Sequence, residues 1–469
     1  MTSHCRQDAR GTGRNVPVHA LVLVVACMVA PFAALGQEAQ QGTPEQSVAT
    51  ILPQHGDPNG MRKALADRGM TYGLNYIGEW QANVAGGLGQ GSIYIGRLEG
   101  VIDADLGKVV GWQGLKLHAN GFQIHGAGLS RELIGNLMTV SYIEALPTTR
   151  LSELWLEQDM LGDTVALRFG QLAADTEFNV STYANQFING TFGWPAIMDH
   201  NLPSGGPAYP FATPGVRVKL DPGKNASLLL GVFNGDPAGP GEGDPQTRNR
   251  YGLNFRVQDP ALVIVEGQYR YNQEKGAAGL AGTIKLGAWG HFGLFDDQRF
   301  DARGLSPADP ASTGKPAQHR GNQAVYAVID QEVWRPATGE ADKGIGIFAR
   351  FSAVPADRNL IDLYLDGGIV LAGLIPWRPD DVLSFGAAFA RISSRTRQLD
   401  ADVALLTGAG LIRDFEAAFE VNYQAQILTG VQMDLDLQRI VHPGGGIMGP
   451  SGEAIPDATV LTLHTSIKY

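Results

Sequence analysis

The sequence predicts an all-β protein, a transmembrane antiparallel β-barrel of sixteen strands with a short N-terminal helix and an inward-folded loop. Three observations carry that expectation. Hydrophobicity alternates with a period of two from Thr71 to the last residue, Tyr469. Beyond the leader no stretch is long and apolar enough for a membrane helix. No linker, composition shift or charge block divides the chain after about residue 60, and a single large barrel absorbs this length without a boundary.

Residues 1–36 open with Arg6, Arg10 and Arg14, continue through an apolar run from Ala20 to Leu35, and carry small residues at Ala33, Ala34 and Gly36. That is the make-up of a secretory signal peptide. Pro31 and the short apolar core suit a cleaved segment better than an anchor, which needs ~20 residues. Both cysteines, Cys5 and Cys27, lie in this leader. The exported chain then has no disulfide or thiolate metal ligand, and its stability rests on sheet and packing. The whole chain has 36 Lys+Arg against 47 Asp+Glu, a net charge of −11. Losing three arginines and Asp8 with the leader leaves about −13, which argues against nucleic acid as a partner.

Residues 37–70 form the lead-in. Its first part is polar and rich in Gln, Gly and Pro; residues 61–68 then read as two helical turns closed by Gly69, a periplasmic cap or plug at the entrance. The barrel occupies residues 71–469. In residues 93–106, Leu98, Ile102 and Ala104 alternate with Arg97, Glu99, Asp103 and Asp105, so one face of the strand is wet. Lys116, His118, Asn120 and Phe122 oppose Leu115, Leu117 and Ala119 in the next segment.

Residues 150–172 form a hairpin joined at Gly162-Asp163. Leu154, Leu156, Val165, Leu167 and Phe169 make its greasy face, and Glu153, Trp155, Glu157 and Arg168 the polar one. The same reading holds for residues 216–220, 251–257, 263–271 and 284–292. Late in the chain Glu416, Glu420, Asn422, Gln424 and Gln426, then Gln432, Asp434, Asp436 and Gln438, form further polar faces.

A soluble sandwich turns its greasy face inward, whereas a membrane barrel turns it to lipid and lines a water-filled lumen with the charged one. Local pattern does not separate these. The count does: sixteen or seventeen segments, many about ten residues long, match strands tilted across a bilayer, and single-chain barrels take the even number. Tyr72, Trp80, Trp112, Trp334, Trp377 and Tyr469 suit interfacial girdles. The last strand ends in an aromatic residue, Tyr469, which is how outer-membrane proteins present themselves to the barrel-assembly machinery. The longest irregular stretch, residues 173–213, is rich in aromatics and is expected to pack into the lumen and narrow it. Residues 235–249 and 303–321 read as exposed loops.

The W-x-E and R-F-G-Q of the hairpin, N-G-T-F-G-W-P from Asn189, G-V-R-V from Gly215, G-V-F-N-G-D-P from Gly231 and the run from Glu420 to His442-Pro443-Gly444-Gly445 together resemble the carbohydrate-selective porins of the OprB type. The resemblance covers residues 61–469. It implies a sixteen-stranded barrel in the Gram-negative outer membrane that passes glucose and similar monosaccharides by facilitated diffusion without ATP.

Sugars are bound by aromatic faces and by planar polar groups. Glu153, Trp155, Glu157 and Arg168 offer both on adjoining strands, and Arg97 with Glu99 is a second candidate, because a bidentate guanidinium suits vicinal hydroxyls. Asp434, Asp436 and Arg439 are weaker, since paired lumen charges often only balance one another. The bland alternative for Trp155 is packing, with the neighbouring charges paired across strands. No H-E-x-x-H or G-x-S-x-G occurs, so no catalytic residue, metal ligand or cofactor is expected. The competing readings are an outer-membrane lipase or glycosidase, and a secreted soluble β-protein such as a lectin.

Overall fold

The computed structural model describes residues 41–44, 46–52, 55–274, 276–337, 343–408 and 410–469. The leader assigned to residues 1–36 lies outside them. Among the described residues no helix is long and apolar enough to cross a membrane.

Sixteen antiparallel strands close into a barrel. The first four are β1 (Met70–Ala85), β2 (Gly91–Asp105), β3 (Leu115–Gly126) and β4 (Thr148–Met160). Then come β5 (Val165–Leu172), β6 (Thr213–Leu220), β7 (Ala226–Asn234) and β8 (Ala261–Tyr271). Next are the two longest strands, β9 (Gly282–Asp301) and β10 (Pro316–Trp334), and then β11 (Gly344–Ala353) and β12 (Ile361–Ala372). The last four are β13 (Val382–Ile392), β14 (Phe415–Leu428), β15 (Val431–Val441) and β16 (Ala458–Lys468).

Every strand pairs with its sequence neighbours, and β1 pairs with β16 from Asn75↔Lys468 to Ala85↔Thr459. The closure removes both sheet edges. Because the strand number is even, β1 starts and β16 finishes at the same end of the barrel, where the Tyr469 N–H donates to the Leu74 carbonyl at 2.8 Å. That end carries tight turns such as residues 161–164 and 429–430, while the other carries the long loops, residues 127–147, 173–212, 235–260 and 393–414.

The alternation read from the sequence sets the faces. Leu98, Leu154, Phe169, Val216, Leu435 and Leu437 are exposed on the outside, and Glu79, Glu266, Glu420 and Gln438 are buried within. In bilayer terms the exposed apolar ring is the lipid-facing band. The expected helix is present as α1 (Met61–Asp67), followed by Gly69 at φ +87°. It docks at the seam rather than plugging the lumen: Arg62 stacks between Tyr72 and the C-terminal Tyr469, 4.3 and 4.5 Å from their ring centroids.

Residues 251–257 alternate in polarity but form no strand. They cross outside the short strands β5 to β7, with Leu253, Phe255 and Val257 exposed like their lipid-facing neighbours. Alternation reports that a segment has two environments; it does not supply a ladder partner. Residues 316–321, read as loop, already belong to β10, and the helix Ser394–Thr407, at the long-loop end, had no counterpart in a period-two reading.

Candidate functional site

The barrel interior is largely filled. Residues 173–212 fold inward, and Phe178, Phe187, Phe192 and Ile197 form an apolar core with the inner faces of β7 to β14, including Phe233, Trp289, Tyr326 and Phe348. Phe187 and Phe192 stack at 4.5 Å. The wall holds this loop by its backbone. Glu266 accepts from Asn179 N–H at 2.8 Å, Asp330 from Ser181 Oγ and Thr182 N–H at 2.5 and 3.1 Å, and Glu420 from Ile188 and Asn189 N–H at 2.6 and 3.0 Å. Arg350 and Lys285 take the opposite role, donating to the carbonyls of Asn179, Thr191 and Val180.

A second inward loop, residues 127–147, was not singled out by sequence. It covers β14 to β16 and β1: Leu137 and Met138 N–H donate to Glu416, both at 2.7 Å, and Gln438 Nε2 donates to the Val140 carbonyl at 2.8 Å. The loops bond to each other through Tyr142 N–H to Ile188 O and Gly190 N–H to Thr139 O.

What the loops leave uncovered is the inner face of β2 to β4. There they bound a cavity of about 530 Å³, within the roughly 300–1,000 Å³ typical of ligand sites. Its wall side is Arg97, Glu99, Asn120, Phe122 and Glu153, and its loop side includes Tyr142, Glu144, Asp175, Trp194, Asp199 and Tyr209. Arg97 is the pivot. Its guanidinium sits over Phe122, Tyr209 and Tyr142, at 4.9, 5.2 and 5.9 Å from the centroids. Its approach to Glu99 is long, 3.9 Å, and its Nε has no hydrogen-bond partner among the described residues. The group is thus positioned mainly by rings. Glu99 in turn accepts from Asn120 Nδ2 at 3.0 Å.

On the loop side, Asp175 Oδ2 accepts from the Tyr209 N–H at 2.8 Å while Oδ1 is buried without a partner among the described residues. Burial, reinforced by Glu153, pushes its carboxyl up to about 7 despite the opposing N–H bond. Burial also raises Glu144, against the N–H bonds from Ser130 and Arg131, and holds the Tyr209 hydroxyl at about 12, so it stays a donor, to the Ile143 carbonyl at 2.8 Å.

The hairpin residues do come together, in a closed arrangement nearer the tight-turn end. Arg168 Nε donates to Glu157 at 2.8 Å, and Arg217 Nη2 donates to Glu157 at 2.6 Å and Glu177 at 2.7 Å. Trp155 is sandwiched: His118 stacks at 4.7 Å, and the Arg168 guanidinium lies 3.7 Å from the ring centroid. Glu153 turns toward the loop and accepts from the Ala173 N–H at 3.1 Å. Asp434 and Asp436 are only 2% and 4% exposed and accept from Gln432 and Gln438. Arg439 faces outward, donating to Thr459 and Asp457 at the rim. It shares parity with Leu435 and Leu437, so it belongs to the outer face and not, as expected, among the lumen charges. Among the described residues no three His, Cys, Asp or Glu side chains converge as metal ligands do.

Comparison with known proteins fits this architecture. The chain is 24% identical to Porin B of Pseudomonas aeruginosa over 412 residues, 83% of this chain and 87% of that protein. It superposes on the high-pH structure of Pseudomonas putida OprB with a TM-score of 0.79 at 21% identity, covering 92% of this chain and all of that one. The low-pH structure of the same protein gives a TM-score of 0.53 at 18% identity, over 89% and 98% of the two chains. The model of the carbohydrate-selective porin OprB family matches residues 89–469, and the chain belongs to that family of outer-membrane sugar porins.

Proposed function

We propose that this porin passes monosaccharides through the cavity between β2 to β4 and the two inward loops, and that Arg97, Glu99 and Asn120 are its sugar-contacting groups. The observation that carries this is the setting of Arg97. An aromatic cage fixes the guanidinium at the cavity wall with its carboxylate neighbour 3.9 Å away, so no close carboxylate competes with sugar hydroxyls for it. Trp194, also in the cavity lining, supplies a ring for the C–H side of a pyranose, while Phe122 and Tyr209 hold Arg97. A site of this kind concentrates scarce solute at the constriction, while modest affinity keeps release fast. Trp155 and Arg168, whose faces and charges are already taken up, are proposed to line and stiffen the path below.

In this reading residues 1–36 are removed on export, residues 37–70 form a periplasmic lead-in, and residues 71–469 form the barrel. The barrel sits in outer-membrane lipid, and its terminal strand is recognised by the assembly machinery through Tyr469. A family of porins implies a channel rather than an enzyme. Liposome swelling across pentoses, hexoses and disaccharides tests the transport claim. Saturable glucose entry with sharply slower disaccharides is expected; equal rates for glucose and a disaccharide would refute a monosaccharide-sized constriction.

A further inference from the structure

We propose that the constriction sorts saccharides by charge, admitting neutral and amino sugars and resisting uronic acids and sugar phosphates. This rests on reading the cavity as the transport path. Its ionisable lining is Glu99, Glu144, Glu153, Asp175 and Asp199 against Arg97 alone. The acids arrive from β2, from residues 127–147, from β4 and from residues 173–212, so the excess belongs to the assembled cavity and to no single motif.

Nearby cations are engaged elsewhere. Arg168 is held by Glu157, Arg131 pairs with Asp244 at 2.6 Å, and Arg150 is buried beside the Phe211 ring. His200 Nε2 lies 2.9 Å from the Leu137 carbonyl and 3.9 Å from Asp199. His118 is stacked on Trp155 and contacts Asp103 at 2.7 Å.

A narrow space with apolar walls focuses the field of one-signed charge, and acidic rings make cation-preferring pores. The lining groups face one another across a cavity comparable in size with the Debye length, ~8 Å at physiological ionic strength, so salt weakens the effect without erasing it. The pH dependence has a definite sign. Asp175 titrates near 7, and Glu144 is also raised. Their negative charge therefore grows as pH rises through neutrality and is lost on acidification.

The test is reversal-potential measurement on the full-length mature porin in planar bilayers, first in KCl gradients, then with glucosamine hydrochloride or potassium glucuronate replacing it. At pH 8 a K⁺ preference over Cl⁻ of about threefold or more is expected, and at pH 7, where most of the amino sugar is ammonium, glucosammonium should carry current and glucuronate far less. The preference should shrink at pH 5.5 and fall toward unity in Asp175→Asn/Asp199→Asn. Asp199→Asn alone, a change on an exposed side chain, should move it part of the way even if the double variant folds poorly. No cation preference at pH 8, equal permeation of glucosammonium and glucuronate, or an unchanged preference in the folded variants would each overturn the proposal. Glucose swelling on the same preparation separates the two readings: glucose entry without charge preference removes only the sorting, whereas absent glucose entry removes the path itself.

Discussion

Arginines in this barrel do two different jobs, and their partners tell them apart. Arg217 and Arg350 are almost fully buried and bind carboxylates, Glu157 and Glu177 in one case and Asp366 in the other. Arg97 instead lies among three rings, with its nearest carboxylate at 3.9 Å. Ring stacking needs a planar cation, so Arg97→Lys should fail to restore what Arg97→Ala loses. Both should raise the half-saturating glucose concentration, on the order of tenfold for about 1.4 kcal/mol, while single-channel conductance holds or rises. Lower conductance in both would instead indicate a collapsed constriction. Glu157→Gln is a structural contrast: Arg217 keeps Glu177, so the folded barrel should survive with a loss of roughly 1–3 kcal/mol, visible as a lower temperature of heat-modifiable gel mobility. The sequence made the inward direction of Arg97, Trp155 and Arg168 legible, because alternation sets the face. It did not show that His118 and Arg168 cover the indole, since that depends on contacts across three strands.

At the scale of elements, the device that shapes the pore is a set of wall carboxylates accepting loop backbone N–H groups. Glu420 takes Ile188 and Asn189, Glu416 takes Leu137, Met138 and Gly444, and Asp330 takes Thr182. Hydrogen bonds to a charged acceptor contribute about 1.5–3 kcal/mol each, and their loss also strands buried donors. Glu420→Ala should therefore loosen residues 188–189 while leaving the barrel closed. Larger conductance and faster disaccharide swelling are the expected results, and unaltered size selection would show that the aromatic core holds the loop unaided. The aromatics of residues 173–213 made its inward packing readable. Residues 127–147 escaped because their anchors lie about 280 positions away, at Glu416, and Tyr142 is the only aromatic side chain in the loop. Helix α1 was legible from its Gly69 stop, but its docking was not. Arg62 meets the C-terminal Tyr469 only once the barrel closes. Arg62→Ala should lower thermal stability without altering sugar selectivity.

For the whole molecule, two environments act on one sheet: the outer face is solvated by hydrocarbon and the inner by water and loops. This explains why residues 251–257 imitate a strand. Leu253, Phe255 and Val257 obey the outer environment while Arg256 reaches Asp259 through charge-assisted bonds at 2.6 and 2.7 Å, all without ladder pairing. The two environments are compared most directly by placing one side chain on both faces of a single strand. In β2, Leu98 is 39% exposed on the outer face, and the Asp103 side chain, turned inward beside His118, is 55% exposed. Leu98→Arg sets a guanidinium against lipid, at a cost of ~2–4 kcal/mol near the midplane. Asp103→Arg keeps its guanidinium in water and loses only a solvent-screened contact with His118, worth about 0–1 kcal/mol. Leu98→Arg should therefore reduce the heat-modifiable barrel fraction and its refolding yield into vesicles, whereas Asp103→Arg should assemble normally and lower the pore's cation preference. Equal assembly of both variants would mean that residue 98 does not meet lipid, and equal failure would mean that position 103 is packed rather than wet.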